Sequence, residues 1–228
     1  MFIDIHTHRA QHYLKLIEQK QPLSLYSAGE NSLWYFLNIE PEDFIPDMSL
    51  PPHVNLSTGI HPWRAHSVPD SDSLNHIFAH PSVGLIGEIG LDKKCPVLFE
   101  QQSKVFDLQL EMAGALKKPV LIHQLGSMAE ILAAKKKHPE IPAWIIHGFR
   151  GKKTQSLQWL QHGFYLSFGP QFNEAALQAC PPERLFFETD ASGIAIEEIY
   201  KRAAQAFACS VAALEIQLEK NVNSLFKK

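Results

Sequence analysis

The sequence predicts an α/β fold of the TIM type, a (β/α)8 barrel, regular or distorted, and three observations predict it. Short apolar runs rich in β-branched and aromatic residues recur along the 228 residues. Stretches with helical spacing lie between many of them, the alternation that builds βαβ units and a parallel sheet covered on both faces. Eight candidate strands, with no glycine-rich phosphate loop after the first, favour a closed barrel over an open doubly wound sheet. No low-complexity segment or linker divides the chain, so residues 1–228 read as a single domain.

The first predicted strand covers residues 2–5 and the second residues 23–26. The proline-rich stretch from Pro41 to Pro52 reads as a long loop after an early strand or helix. The remaining strands fall at residues 54–60, 83–89, 119–122, 143–146, 164–168 and 185–187. The clearest helix runs over residues 97–116, where Leu98, Val105, Leu108, Met112, Ala115 and Leu116 supply apolar positions. Others are expected at residues 127–137, 152–162, 173–180, 197–208 and 211–226.

Chemistry concentrates where these strands end. The first stops in His6-Thr7-His8, and residues two apart in an extended chain face the same side, so both imidazoles can reach one metal. The third ends in Gly59-Ile60-His61-Pro62-Trp63 and the fourth in Gly87-Glu88-Ile89-Gly90-Leu91-Asp92. His123 ends the fifth, His147 the sixth, and Glu188-Thr189-Asp190 the eighth. A parallel barrel puts all its carboxyl ends on one rim, where active sites are built. A metal centre is therefore expected at that rim.

Any single histidine among the twelve is more simply a hydrogen-bonded strand-end or loop residue, and His12, His53, His66, His76, His80, His138 and His162 are left there. Five histidines and two or three carboxylates ending successive strands exceed that explanation. Imidazole with carboxylate suits Zn, Mn, Fe, Co or Ni better than Ca or Mg. The donors are too many for one tetrahedral ion, so one or two divalent ions are expected, Mg included among the candidates. A pair of ions sharing a carboxylate would activate a water for attack.

Composition narrows the partners. With 45% hydrophobic and 20% charged residues the chain can bury a core without disulfides or a structural metal. A formal charge of −3 gives no broad positive field, and the basic runs Lys135–Lys137 and Lys152-Lys153 read as solvated helix surface. The opening Met-Phe-Ile-Asp-Ile-His lacks signal-peptide character, and no apolar stretch is long enough to span a bilayer. Three cysteines, Cys95, Cys180 and Cys209, share no CxxC spacing and point to free thiols in a reducing compartment. The expected location is the cytoplasm, with no membrane and no obligate protein partner.

The ordered set of motifs resembles the TatD-type metal-dependent hydrolases, within the wider amidohydrolase-like barrels. It comprises Ile3-Asp4-Ile5-His6-Thr7-His8, Gly59-Ile60-His61-Pro62, Gly87-Glu88-Ile89-Gly90-Leu91-Asp92, then Gln102, Phe106, Gln109-Leu110 and Ala113 along one helix. Pro119-Val120-Leu121-Ile122-His123, His147-Gly148-Phe149-Arg150-Gly151, Glu188-Thr189-Asp190 and a closing Asn221-Val222-Asn223-Ser224-Leu225-Phe226 complete it, across nearly the whole chain. The resemblance implies a TIM-like barrel in which His6, His8, Glu88 and Asp190 surround one metal. It further implies that Glu88 bridges to a second ion held by His123 and His147. Asp190 would also take a proton from the attacking water, His61 would stabilise substrate oxyanions, and Asp92 would orient a ligand.

Members of that family are often described as DNases, so the resemblance implies phosphodiester hydrolysis of a nucleic-acid or small-molecule substrate. Two departures bear on it. After His123 this chain reads Gln124-Leu125-Gly126, where the family commonly carries an arginine. After Asp190 it reads Ala191-Ser192-Gly193, in place of proline, an aromatic and a longer substrate loop. Both weaken the grip on phosphate more than on metal. Arg150 and Arg64 could compensate, and Trp63 could stack on a base or pack on the rim. The alternatives are a metal-dependent hydrolase of a small ester, amide or lactone, and a non-catalytic metal-binding protein.

Overall fold

The computed structural model describes residues 1–19, 33–46 and 50–226, and its strands follow one another in sequence order through an eight-stranded sheet. The strands are Phe2–Thr7 (β1), Leu33–Ile39 (β2), Val54–Thr58 (β3), Val83–Asp92 (β4), Val120–Leu125 (β5), Trp144–Ile146 (β6), Tyr165–Phe168 (β7) and Leu185–Phe187 (β8). The helices are Ala10–Glu18 (α1), Ser71–Ala79 (α2), Phe99–Leu116 (α3), Met128–Lys137 (α4), Lys153–Gln161 (α5), Glu174–Gln178 (α6), Ile196–Ala206 (α7) and Val211–Leu225 (α8). This is the TIM-type class expected from the sequence.

One strand forms where the sequence predicts none. Residues 23–26 fall outside the described residues, and β2 forms at Leu33–Ile39. Its aromatic core, Trp34-Tyr35-Phe36, is apolar throughout, and such a run cannot be told from a buried helix by periodicity. Within the expected loop of residues 41–52, Pro41–Asp43 forms a single 3-10 turn. Helices α1 and α2 also escaped the sequence reading. In α2 only Leu74 and Phe78 are buried, too few to establish a period, although Asp70 caps it by accepting from the Ser73 amide.

The chain comprises two compact units, Met1–Leu37 with Ser49–Asn55 and His147–Lys228, and Asn38–Met48 with Leu56–Ile146. In the first, β7 pairs with β8 and β1 with β2, all parallel. Leu185, Phe186 and Phe187 are all fully buried, as befits a strand covered on both faces. Tyr200 of α7 holds β1 through its hydroxyl, which donates to the Ile3 carbonyl at 3.2 Å and accepts from the Ile3 amide at 3.0 Å. Asn221 of α8 donates through Nδ2 to the carbonyls of Pro182 at 2.7 Å and Leu185 at 2.9 Å, which seats the closing helix at the start of β8.

In the second unit β3, β4, β5 and β6 pair in parallel order. Two glutamines of α3, seven residues apart and so on one helical face, are almost wholly buried there. Gln109 accepts from the Ile60 amide at 2.6 Å and donates to the Ile60 carbonyl at 3.2 Å. Gln102 accepts from the Asp92 amide at 2.9 Å and donates to the Asp92 carbonyl at 3.1 Å. They fix the backbone next to His61 and at the end of β4. All three cysteines are free, and among the described residues no helix is long and apolar enough to cross a membrane.

Candidate metal centre

The extended end of β1 gives the spacing its consequence. The Nε2 atoms of His6 and His8 stand 3.2 Å apart, with His6 fully buried and His8 partly exposed. Asp190 follows β8, and its amide donates to the His6 carbonyl at 3.0 Å while its carbonyl accepts from the His8 amide at 3.1 Å. Its φ of 54° puts it in the left-handed region, which aspartate tolerates better than most residues. Asp190 Oδ1 comes 3.9 Å from His6 Nε2 and 3.5 Å from His8 Nε2.

Asp4 and Thr189 support this meeting of strand ends from below. The Thr189 amide donates to Asp4 Oδ1 at 2.9 Å, and Thr189 Oγ1 lies 2.7 Å from Asp4 Oδ2 and 2.9 Å from Thr7 Oγ1. Burial pushes the Asp4 carboxyl up to about 7 against the pull of the Thr189 donors. The fold then binds a proton that the unfolded chain releases near 3.8. The stability this proton gives is present below that value and is lost as pH rises through 7. Asp4→Asn should flatten the fall in urea midpoint between about pH 4 and 7 in metal-free buffer; an unchanged slope would refute the assignment.

The same unit holds His147 against a carboxylate that the sequence reading did not single out. Glu188 is fully buried, with Oε1 accepting from the Gly148 amide at 2.7 Å and lying 3.2 Å from His147 Nδ1. A carboxylate at one ring nitrogen fixes the tautomer and leaves the other to a metal. The signal was an acidic residue placed directly after Phe186-Phe187, where solvent exposure is not available. The rings of His6 and His147 stand 4.9 Å apart in edge contact.

In the second unit Glu88, almost wholly buried in β4, gathers two histidines. Its Oε1 lies 2.7 Å from His123 Nδ1 and 3.4 Å from His61 Nε2. Asp92 Oδ2 lies 3.3 Å from His123 Nε2 and accepts from the Trp63 indole at 2.8 Å, while Oδ1 accepts from the Lys94 amide at 2.7 Å. Burial opposes ionisation of Asp92, but the Trp63, Lys94 and His123 contacts outweigh it and hold the carboxyl below its ordinary range. Asp92 is thus a buried partner of His123, not a surface residue. His61 Nδ1 accepts from the Trp63 amide at 3.2 Å, which assigns the ring proton to Nε2. Trp63 is itself half-exposed, its ring tethered by the indole bond.

Of the residues expected at the centre, His6, His8, His147 and Asp190 therefore meet in one unit, and His61, Glu88 and His123 in the other. Three donor sets, His6–His8–Asp190, His147–Glu188–Asp190 and His61–Glu88–His123, bring their ligand atoms within 4.8 Å of one another. Such mixed imidazole and carboxylate sets suit borderline divalent ions. Among the described residues Glu188 Oε2 is buried without a hydrogen-bond partner, which also fits a site built for a cation.

A family model described as TatD related DNase matches residues 3–227. The chain is 30% identical over 150 residues to the uncharacterized metal-dependent hydrolase YabD of Bacillus subtilis, covering 60% of this chain and 58% of that protein. It is 30% identical over 156 residues to the 3'-5' ssDNA/RNA exonuclease TatD of Citrobacter rodentium, covering 61% and 58%. The matches thus span less than two thirds of these curated relatives. A solved TatD homologue from Escherichia coli K12, YjjV, superposes with a TM-score of 0.78 at 20% identity, covering 100% of this chain and 98% of that one. A TatD family hydrolase from Entamoeba histolytica superposes at 0.73 and 16% identity, covering 100% and 98%. Both likenesses are of fold.

Proposed function

The chain belongs to the TatD related DNase family, and on that premise we propose that it is a metal-dependent phosphodiesterase acting on nucleic acid, with residues 1–228 working as one hydrolase domain. The observation that carries this reading is the His6–His8 pair facing Asp190 at 3.9 and 3.5 Å. Following the family resemblance, we name His6, His8, Glu88, His123, His147 and Asp190 as the candidate metal ligands. Zn, Mn, Co, Ni, Fe and Mg are the candidates. Bound there, divalent ions would neutralise phosphate charge and acidify a water.

The chain's own residues supply the rest. Asp190, held by two backbone bonds, accepts the proton of the attacking water. His61, with its proton assigned to Nε2, donates to a substrate oxygen as negative charge gathers there. Asp92 and Glu188 keep His123 and His147 in fixed ring orientations. The three free cysteines support a reducing compartment, and we place the protein in the cytoplasm.

A second reading, hydrolysis of a small ester, amide or lactone, is favoured by the lack of an arginine just after His123. Leu125, two residues on, is apolar and exposed. A panel of single-stranded DNA, bis-p-nitrophenyl phosphate, an aryl ester and a lactone, each with Mn, Zn, Co or Mg, separates the two. Turnover of the phosphodiesters supports the first reading. Activity confined to the carbonyl substrates overturns it.

A further inference from the structure

We propose that Arg150 grips a phosphate of the nucleic-acid substrate and takes the part of the arginine that is missing after His123; this rests on the phosphodiesterase reading. The chain has five arginines, and four are committed elsewhere. Arg9 donates to the Ser192 carbonyl at 2.5 Å, and Arg64 pairs with both Glu40 and Glu42. Arg184 donates to the Gly163 carbonyl at 3.4 Å and covers the Tyr165 ring, while Arg202 donates to the Pro170 carbonyl at 2.6 Å and covers Phe172. Of the two compensating arginines the sequence offers, Arg64 is therefore spoken for.

Arg150 differs in both tether and placement. Its side chain is 60% exposed, and Nη1 donates to Gln171 Oε1 at 2.9 Å. Nη2 stands 3.9 Å from Asp190 Oδ2, too far for a hydrogen bond but close enough to border the proposed base. The residues before it station it there. Gly148 turns the chain at a φ of 57°, and the buried Phe149 donates its amide to the Ser167 carbonyl at 2.9 Å and packs edge-on against Phe168. A guanidinium anchored at one nitrogen keeps the rest of its planar fork for a phosphate's paired oxygens, which a lysine cannot match. The charge also meets a need, since a net −3 protein has little general attraction for a polyanion.

The test is fluorescence anisotropy with a labelled single-stranded oligonucleotide, alongside steady-state cleavage, for wild type, Arg150→Gln and Arg150→Lys in the metal-loaded full chain. Arg150→Gln should weaken binding and raise KM roughly tenfold, with kcat changed far less, as expected for one charge-assisted contact. Its slope of log affinity against log salt should fall by about 0.7, one phosphate contact on a single strand. Arg150→Lys should restore the slope and only part of the affinity. Unchanged affinity, KM and salt slope in Arg150→Gln would overturn the proposal while leaving phosphodiester hydrolysis standing. A wild type that binds through Arg150 but does not cleave would keep the proposal and reject the hydrolase reading.

Discussion

Asp190→Asn should lose phosphodiester turnover by about a thousandfold while the protein stays folded, because general-base catalysis contributes on this scale. The amide keeps the size of the side chain and an oxygen, but it has no lone-pair carboxylate to receive a proton. The backbone ties of residue 190 to His6 and His8 do not involve the side chain, so the strand ends should hold. Initial rates on bis-p-nitrophenyl phosphate, with circular dichroism and metal content as controls, give the answer. The loss should lie in kcat. A mutant as fast as wild type would remove Asp190 from the chemistry.

Gly90→Ala should destabilise the fold by on the order of 3 kcal/mol and abolish activity with it. A Cβ at this position would sit 1.9 Å from the His123 carbonyl oxygen, and the backbone is at a φ of 151°, where side chains rarely go. Neither atom can give way cheaply, since the Cβ is fixed to the backbone of one paired strand and the oxygen belongs to that of the other: Gly90 stands opposite His123 in the β4–β5 register. The strands must part, which moves His123 away from Glu88 and Asp92. Urea unfolding measures the stability loss as a drop in midpoint at unchanged slope. A midpoint equal to wild type would mean that the strands do not approach as closely as described.

The fold class and the candidate donors were legible for the same reason. Parallel strands buried on both faces read as apolar runs, and the residue that interrupts each run in imidazole or carboxylate stands out. His6, His8, His61, Glu88, His123, His147 and Asp190 were all visible in this way. What stayed hidden depends on three-dimensional neighbours. β2 was missed because a short apolar run does not by itself separate strand from buried helix and no histidine ends this one, and α2 because two buried residues do not make a period. Glu188 hid beside Asp190, since sequence alone does not say which of two nearby carboxylates points inward. The roles of Gln102 and Gln109 could have been suspected from two polar residues on one apolar helical face. Nothing in the sequence separates Arg64 from Arg150; only the acidic partners Glu40 and Glu42, far from Arg64 in the chain, do that.

The proposed hydrolysis of a phosphodiester depends on divalent ions held by these donors. The most direct test of this dependence is cleavage of single-stranded DNA by chelator-stripped protein as Mn is titrated back, with bound metal measured on the same samples. Rates near zero in the stripped protein, rising in proportion to one or two equivalents of bound ion, are the expected result. DNA cleavage that survives complete stripping, or full reloading that restores none, would contradict it.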